Sequence, residues 1–405
     1  MLLMLAIAST ASAQTSSPTF SKEVARILAA NCVSCHHKGG IAPMALTTYE
    51  EARPRAKSIK EVVQQRTMPP WHAASAHGEF SNDPRLSDAD IAAIVAWVDA
   101  GAPRGDANDL PAMPDFSREW PLGTPDMVLQ PPKPYTVAAG GGDEYRCFTM
   151  PNTSDADRWV RAVDIHPGAP SVVHHAFIWI DRGTTAAQKE GADGNPGYSC
   201  FGGPGFNATA NLGAWLPGQQ LSAFTGDIAY LLPAHSTLVL QVHYHHAAAA
   251  VSDQTRVGLY FSTTATTAVQ SVPVLNPRFQ IPAGASGFEV RASYTVPDDI
   301  DVISILPHMH LLGQSMDVTA TLPDGSTRTL IRIPKYDFNW QRTYRYATPV
   351  SLPKGTRIDV LSIFDNSDNN PSNPNKPPKP VRFGEATTDE MDVAYITFVP
   401  KRPRS

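Results

Sequence analysis

The sequence predicts a mainly β protein: two antiparallel β-sandwiches in tandem, preceded by a small all-α domain. Three observations carry this expectation. Residues 18–104 have helical periodicity, whereas the runs Ser236–His246, Thr255–Ser262, Asp301–His310 and Met391–Val399 are β-branched or alternating and bounded by Pro and Gly. The β-patterned part is too long for one small sandwich. Proline accounts for 37 of 405 residues and is spread along the whole chain, which favours short strands and many loops over long helices.

In the helical region, Phe20, Val24, Ile27 and Leu28 form one apolar stripe, and Ile91, Ile94, Val95 and Val98 form another. The second stripe has Asp88 and Asp90 in its first turn and stops at Gly101 and Pro103. A Pro-, Asp- and Gly-rich linker follows over 105–134. The sandwiches are expected over 135–270 and 271–400, with the break between Val269 and Pro282. The Asn/Pro run Asp365–Pro380 reads as a long polar loop without regular structure.

With 42% hydrophobic and 18% charged residues, the composition is that of a globular protein. A net charge of −5 offers no footprint for nucleic acid or an anionic membrane surface. Residues 1–13, MLLMLAIASTASA, read as a secretory signal peptide that ends in small residues but lacks a basic start. No later segment reaches the ~20 apolar residues of a membrane span. The expected location is therefore periplasmic or secreted, in a bacterium.

Cys32-Val33-Ser34-Cys35-His36 is a C-x-x-C-H sequence. Its two thiols can attach covalently to a haem while the adjacent imidazole takes the iron. A zinc site would need a second ligand pair nearby, and a redox dithiol would need a βαβ setting; neither is present. Residues 18–104 resemble a class I cytochrome c, which implies one covalently bound haem c and a Met thioether as second axial ligand. Met68, in the extended turn Arg66-Thr67-Met68-Pro69-Pro70-Trp71, is the preferred candidate, with Met44 as its competitor. A His/Met haem has no open iron position and serves electron transfer.

The β region holds three histidine clusters: His174-His175, His243 in Gln241-Val242-His243-Tyr244-His245-His246, and His308-Met309-His310. His308 and His310 share a strand face. Adjacent His174 and His175 point oppositely in a regular strand, so both can reach one metal only at a bulge or a strand end. Imidazole clusters without acidic ligands suit copper, zinc or iron.

In this region the chain resembles the copper type II ascorbate-dependent monooxygenases, over about residues 135–400. The motifs that carry the resemblance are Val172-Val173-His174-His175, Leu240-Gln241-Val242-His243-Tyr244, His308-Met309-His310, Thr387-Thr388-Asp389-Glu390-Met391, and the positions of Cys147 and Cys200. The resemblance implies two jelly-roll-like sandwiches, each with one of two copper ions. His174, His175 and His243 would hold the electron-transfer copper. His308, His310 and Met391, as the catalytic set, would hold the copper that meets O2, and Cys147 would pair with Cys200. The implied reaction is hydroxylation of a C–H bond in a small molecule, with electrons relayed through the haem from a periplasmic donor. A non-enzymatic haem/copper electron carrier and a redox sensor are the alternatives.

His37, His72, His77, His166, His235, His245 and His246 match no ligand position. Asn152 and Asn207 begin glycosylation sequons that are read as accidental. Peptide-amidating family members carry an Arg two places before the His-x-His and an Asn two places after the Met. Here those places hold Leu306 and Val393, although a matching Tyr395 remains. An apolar pair cannot neutralise a carboxylate, so an acidic peptide end is not expected as substrate.

Overall fold

A computed structural model describes residues 17–401 except 76, 77, 117, 202, 207, 209, 217–220, 246 and 247. The expected signal peptide lies outside the described residues, as do His77, His246 and part of the second sequon. The chain divides into two compact units. One runs to Trp71 and resumes over Pro84–Phe116; the other comprises His72–Asp83 and Ser117–Ser405.

The first unit is helical. A π turn, Phe20–Val24, leads into α1 (Ala25–Asn31), followed by α2 (Tyr49–Ala52), α3 (Ala56–Gln64) and α4 (Asp88–Asp99). Helix α4 starts at a capping box in which Ser87 and Asp90 satisfy each other's backbone N–H groups. Phe20, Val24, Ile27 and Leu28 all face the core, as their spacing requires, and meet Ile94 and Trp97. The Trp97 indole donates to the Pro103 carbonyl at 3.0 Å, which gives its buried N–H a partner.

The second unit contains four main antiparallel sheets. One five-stranded sheet runs in the order Tyr198–Ser199, Glu144–Pro151, Thr237–Tyr244, Val173–Asp181, Ala210–Trp215. Another runs Met127–Leu129, Arg256–Ser262, Arg158–His166, Ile228–Leu232, Thr267–Ala268, its last pair parallel. Phe148, Ile178 and Leu240 from the former and Val160, Val257 and Leu259 from the latter share one core, so the two sheets form a sandwich.

Two four-stranded sheets follow. Their orders are Gln270–Leu275, Val393–Pro400, Ile300–His308, Tyr344–Leu352, and Ser286–Thr295, Arg357–Asp365, Gly313–Thr321, Thr327–Ile333. In Ile300–His308, Gly313–Thr321 and Arg357–Asp365 buried residues alternate with half-buried ones, so each offers one face to the interior. The mainly β architecture with a small helical domain is thus the observed one.

Residues 72–83 fall within the span that reads as haem domain, yet they group with the second unit. The Ala74 N–H donates to Arg332 O at 2.9 Å, Ser81 N–H to Arg345 O at 2.8 Å, and the Ala347 N–H to Glu79 O at 2.8 Å. Asn82 closes a ring by donating to Thr343 O and accepting from the Arg345 N–H. The buried Phe80 ring packs on Tyr344 and Tyr346. The polar loop after Asp365 has no helix or strand until Val381–Arg382, but side-chain amides hold it. Buried Asn366 donates to Pro282 O and Lys379 O, and buried Asn373 donates to Asn366 Oδ1.

Cys147 and Cys200 are joined, both in the interior, with a sequence separation of 53 residues. Closing a loop of that size stabilises the fold by about 4 kcal/mol through the unfolded chain. A phosphine reductant cleaves the disulfide, so urea unfolding with and without it isolates this bond. The expected result is a fall of that order, and an unchanged midpoint would show that the loop is held without the disulfide.

Candidate metal centres

The first cluster arises from a slip in strand pairing. Val173–Asp181 pairs with Thr237–Tyr244 in regular register from His175 onward, but Val173 lies opposite Tyr244 while His175 lies opposite His243. One residue, His174, is therefore extra, and this bulge turns two adjacent imidazoles to one side. The ligand nitrogens of His174, His175 and His243 all lie within 4.8 Å of one another, with the Nδ1 atoms of His174 and His175 3.2 Å apart.

His243 is 2% exposed, and its Nδ1 has no hydrogen-bond partner, which a buried polar atom rarely tolerates. Burial lowers the pKa of all three imidazoles, with their mutual repulsion adding for His175 and His243; His243 falls to about 4. Three neutral imidazoles with converging lone pairs fit a soft to borderline metal ion such as copper.

The second cluster lies at a strand end. His308 closes the strand Ile300–His308 and sits opposite Val393, so the segment ending in Met391 arrives beside His308-Met309-His310. His308 Nδ1–H donates to Gln341 Oε1 at 2.6 Å, and His310 Nδ1–H donates to the Asp389 carbonyl at 3.1 Å. Each bond fixes a tautomer and leaves Nε2 as the free lone pair. Burial lowers His308 to about 4 and His310 to about 3.

Glu390 is fully buried and accepts from the N–H groups of His310 at 2.9 Å and Leu312 at 2.6 Å, tying the histidine turn to the residue next to Met391. Burial raises its carboxyl to about 8 against the pull of these N–H donors. Two imidazoles and a thioether suit copper, the thioether favouring Cu(I).

The two clusters are neighbours. The Phe338 ring lies 5.7 Å from both His174 and His310, centroid to centroid. A cavity of about 520 Å³ opens beside the first cluster, lined by Asp143, Tyr145, His174, Phe201, His243 and Thr387 among others. His245 also lines it, but its Nε2 engages Ser171 O at 3.0 Å, away from the cluster.

Sequence reasoning singled out none of Asp143, Gln341, Phe338 or Glu390 as functional. Glu390 stands inside the motif quoted for Met391, and Asp143 lies four residues before Cys147. Gln341 and Phe338 come from a loop with no motif, and no local signal could have shown them.

In the helical unit, Cys32 and Cys35 are unlinked, and burial together with Cys35 raises the Cys32 thiol to about 12. His36 Nδ1–H donates to the Met44 carbonyl at 3.1 Å, leaving Nε2 for iron and placing the Met44 backbone behind the imidazole. Met68 lines a small cleft with Val63, Arg66, Pro69, Leu86 and Ile91.

Imidazole clusters in a β unit, in a chain that also carries a C-x-x-C-H sequence, suit a metal redox protein. The comparisons narrow this. Residues 256–405 match the family described as copper type II ascorbate-dependent monooxygenase, C-terminal domain, and residues 21–101 match cytochrome c. The chain thus unites a cytochrome c domain with the C-terminal domain of a copper type II ascorbate-dependent monooxygenase, as its motifs imply.

No curated protein matches the chain. Among solved structures, the cowpea mosaic virus top component aligns at 7% identity and TM-score 0.27, covering 66% of this chain and 89% of that one. The major capsid protein P2 of bacteriophage PM2 aligns at 10% identity and TM-score 0.26, covering 69% and 98%. Scores this low bear on neither fold nor function. Among the described residues, no helix is long and apolar enough to cross a membrane.

The lowered imidazoles give a direct check on the metal-free protein. An ordinary histidine titrates near ~6.5. At pH 5, nitrogen-15 NMR is expected to show His243, His308 and His310 still neutral. Protonation of all three by that pH would overturn the buried, ligand-ready state described here.

Proposed function

We propose that this chain is an exported copper monooxygenase that hydroxylates a C–H bond of a small organic substrate, with the fused haem c as the entry point for electrons. The single observation that carries the reading is the pair of neighbouring clusters of neutral imidazoles, the second of them inside the residues that match the monooxygenase family. The balanced reaction is R–H + O2 + two electrons + two protons giving R–OH and water. Copper bound at these clusters supplies one-electron redox chemistry with dioxygen.

The chain's own residues do the rest. His174, His175 and His243 hold one ion through a set of hard-to-protonate nitrogens. His308, His310 and Met391 hold the other, with Gln341 and the Asp389 carbonyl setting which nitrogen each histidine presents. Leu306 is half-buried opposite Tyr395, and Val393 is buried opposite His308. Neither side chain can pair with a carboxylate, which supports a substrate without one at that place. Cys32 and Cys35 would attach the haem, and His36 with Met68 would hold its iron, a ligand set that suits electron transfer. The relay from a periplasmic donor rests on the fusion of the two domains.

Met391→Ile removes the thioether at nearly constant volume. It is expected to abolish product formation while copper stays at His174, His175 and His243. Mass spectrometry for one added oxygen and metal analysis read the two effects separately. Wild-type turnover in this variant would assign the third ligand elsewhere. A reduced, copper-loaded wild type that consumes no O2 with any candidate substrate would favour the electron-carrier alternative.

Met68→Ala is expected to lower the haem potential and to slow turnover driven by a cytochrome-type donor more than turnover driven by ascorbate. Equal rates for variant and wild type with the protein donor would show that electrons bypass the haem.

A further inference from the structure

The segment from Glu385 to Met391 is bonded to the surroundings of both histidine clusters. At its Met391 end, the Asp389 carbonyl accepts from His310 and Glu390 accepts from the His310 and Leu312 N–H groups. At its other end it reaches the first sandwich. The Thr387 hydroxyl donates to Asp143 Oδ2 at 2.8 Å, and the Tyr145 hydroxyl donates to the Glu385 carbonyl at 2.5 Å. Both partners, Asp143 and Tyr145, abut His243. Asp143 Oδ2 lies 3.2 Å from His243 Nε2, and the Tyr145 ring stacks on the imidazole with centroids 4.1 Å apart and planes 11° apart.

We propose that Asp143 is a positioning residue for His243, and that Thr387, carried on the Met391 segment of the other sandwich, sets it. The proposal rests on the functional reading above only in taking His243 as a copper ligand.

A carboxylate beside Nε2 keeps the proton on that nitrogen and leaves the Nδ1 lone pair for the metal. Among the described residues neither His243 nitrogen makes a well-aligned hydrogen bond, and the Asp143 carboxylate, 3.2 Å from Nε2, is the charge that favours a proton on that nitrogen. The Asp143 side chain is 30% exposed, so burial alone does not fix its rotamer. The Thr387 hydroxyl does, by donating to the same oxygen that faces His243. The ligand geometry of the first cluster therefore depends on a residue four positions before Met391, and the two sites are joined through Thr387, Asp143 and His243.

The test uses the full haem-bearing chain with Thr387→Val, Thr387→Ser and Asp143→Ala. In copper-free protein, nitrogen-15 NMR reads the His243 tautomer directly. Wild type and Thr387→Ser are expected to hold the proton on Nε2, whereas Thr387→Val and Asp143→Ala populate both tautomers. In copper-loaded protein, Thr387→Val is expected to shift the Cu(II) paramagnetic resonance signal of the first cluster, and Ser to restore it. Asp143→Ala is expected to weaken copper at that cluster by about 10- to 100-fold.

A Thr387→Val protein with wild-type tautomer and wild-type resonance signal would overturn the proposal. So would equal loss of copper and melting temperature in the Val and Ser variants, which would mark Thr387 as merely structural. Failure of wild type to bind copper at the histidines would instead overturn the functional reading, and the tautomer measurement would still decide the role of Asp143.

Discussion

The pairing of Val173–Asp181 with Thr237–Tyr244 slips by one residue at His174, and the first metal cluster depends on that slip. In a regular strand successive side chains alternate faces, so His174 and His175 would diverge. The bulge absorbs the extra residue and turns both imidazoles toward His243. The same sheet holds the bulge in place, because Ile178 and Ile180 on one strand and Leu238 and Leu240 on the other are wholly buried. A shift of register would carry that apolar set to the wrong face, so the core fixes where the slip falls.

Burial also sets the chemistry of both clusters. Imidazoles taken out of water resist protonation, and so keep their lone pairs for a metal at neutral pH. Which lone pair is offered is a matter of partners. Gln341 and the Asp389 carbonyl occupy Nδ1 on His308 and His310, and Asp143 faces Nε2 on His243. His243 is therefore presented in the opposite sense to His308 and His310. Glu390 works on the backbone, tying the turn that follows His308 to the residue preceding Met391.

The excursion at His72–Asp83 shows how a linear domain map can mislead. Its pattern lies between two helices of the haem-motif unit, so nothing local marks it as foreign. Its hydrogen bonds to Arg332, Thr343 and Arg345, and the stacking of Phe80 on Tyr344 and Tyr346, assign it to the other unit. These partners lie more than 200 residues away in the chain, beyond the reach of any periodicity. The loop after Asp365 is a similar case, since asparagine side chains, which sequence patterns treat as solvent-facing, supply its internal bonds.

The sequence by itself determined the fold class, the helical stripe through Phe20, Val24, Ile27 and Leu28, and the haem-attachment motif. These rest on periodicity and spacing, which act over a few residues and leave their mark there. Through family resemblance it also named His174, His175, His243, His308, His310, Met391 and the Cys147–Cys200 pair. It even required a bulge or a strand end at the paired histidines, because two adjacent side chains cannot otherwise share a face. Only the tertiary structure decided which nitrogen each histidine presents, that Phe338 lies between the two clusters, and that Thr387 and Asp143 join them. Those facts come from side chains brought together across separate strands and loops. Their energies depend on burial and on a partner's position in space, and neither is written in the residues' own neighbourhood.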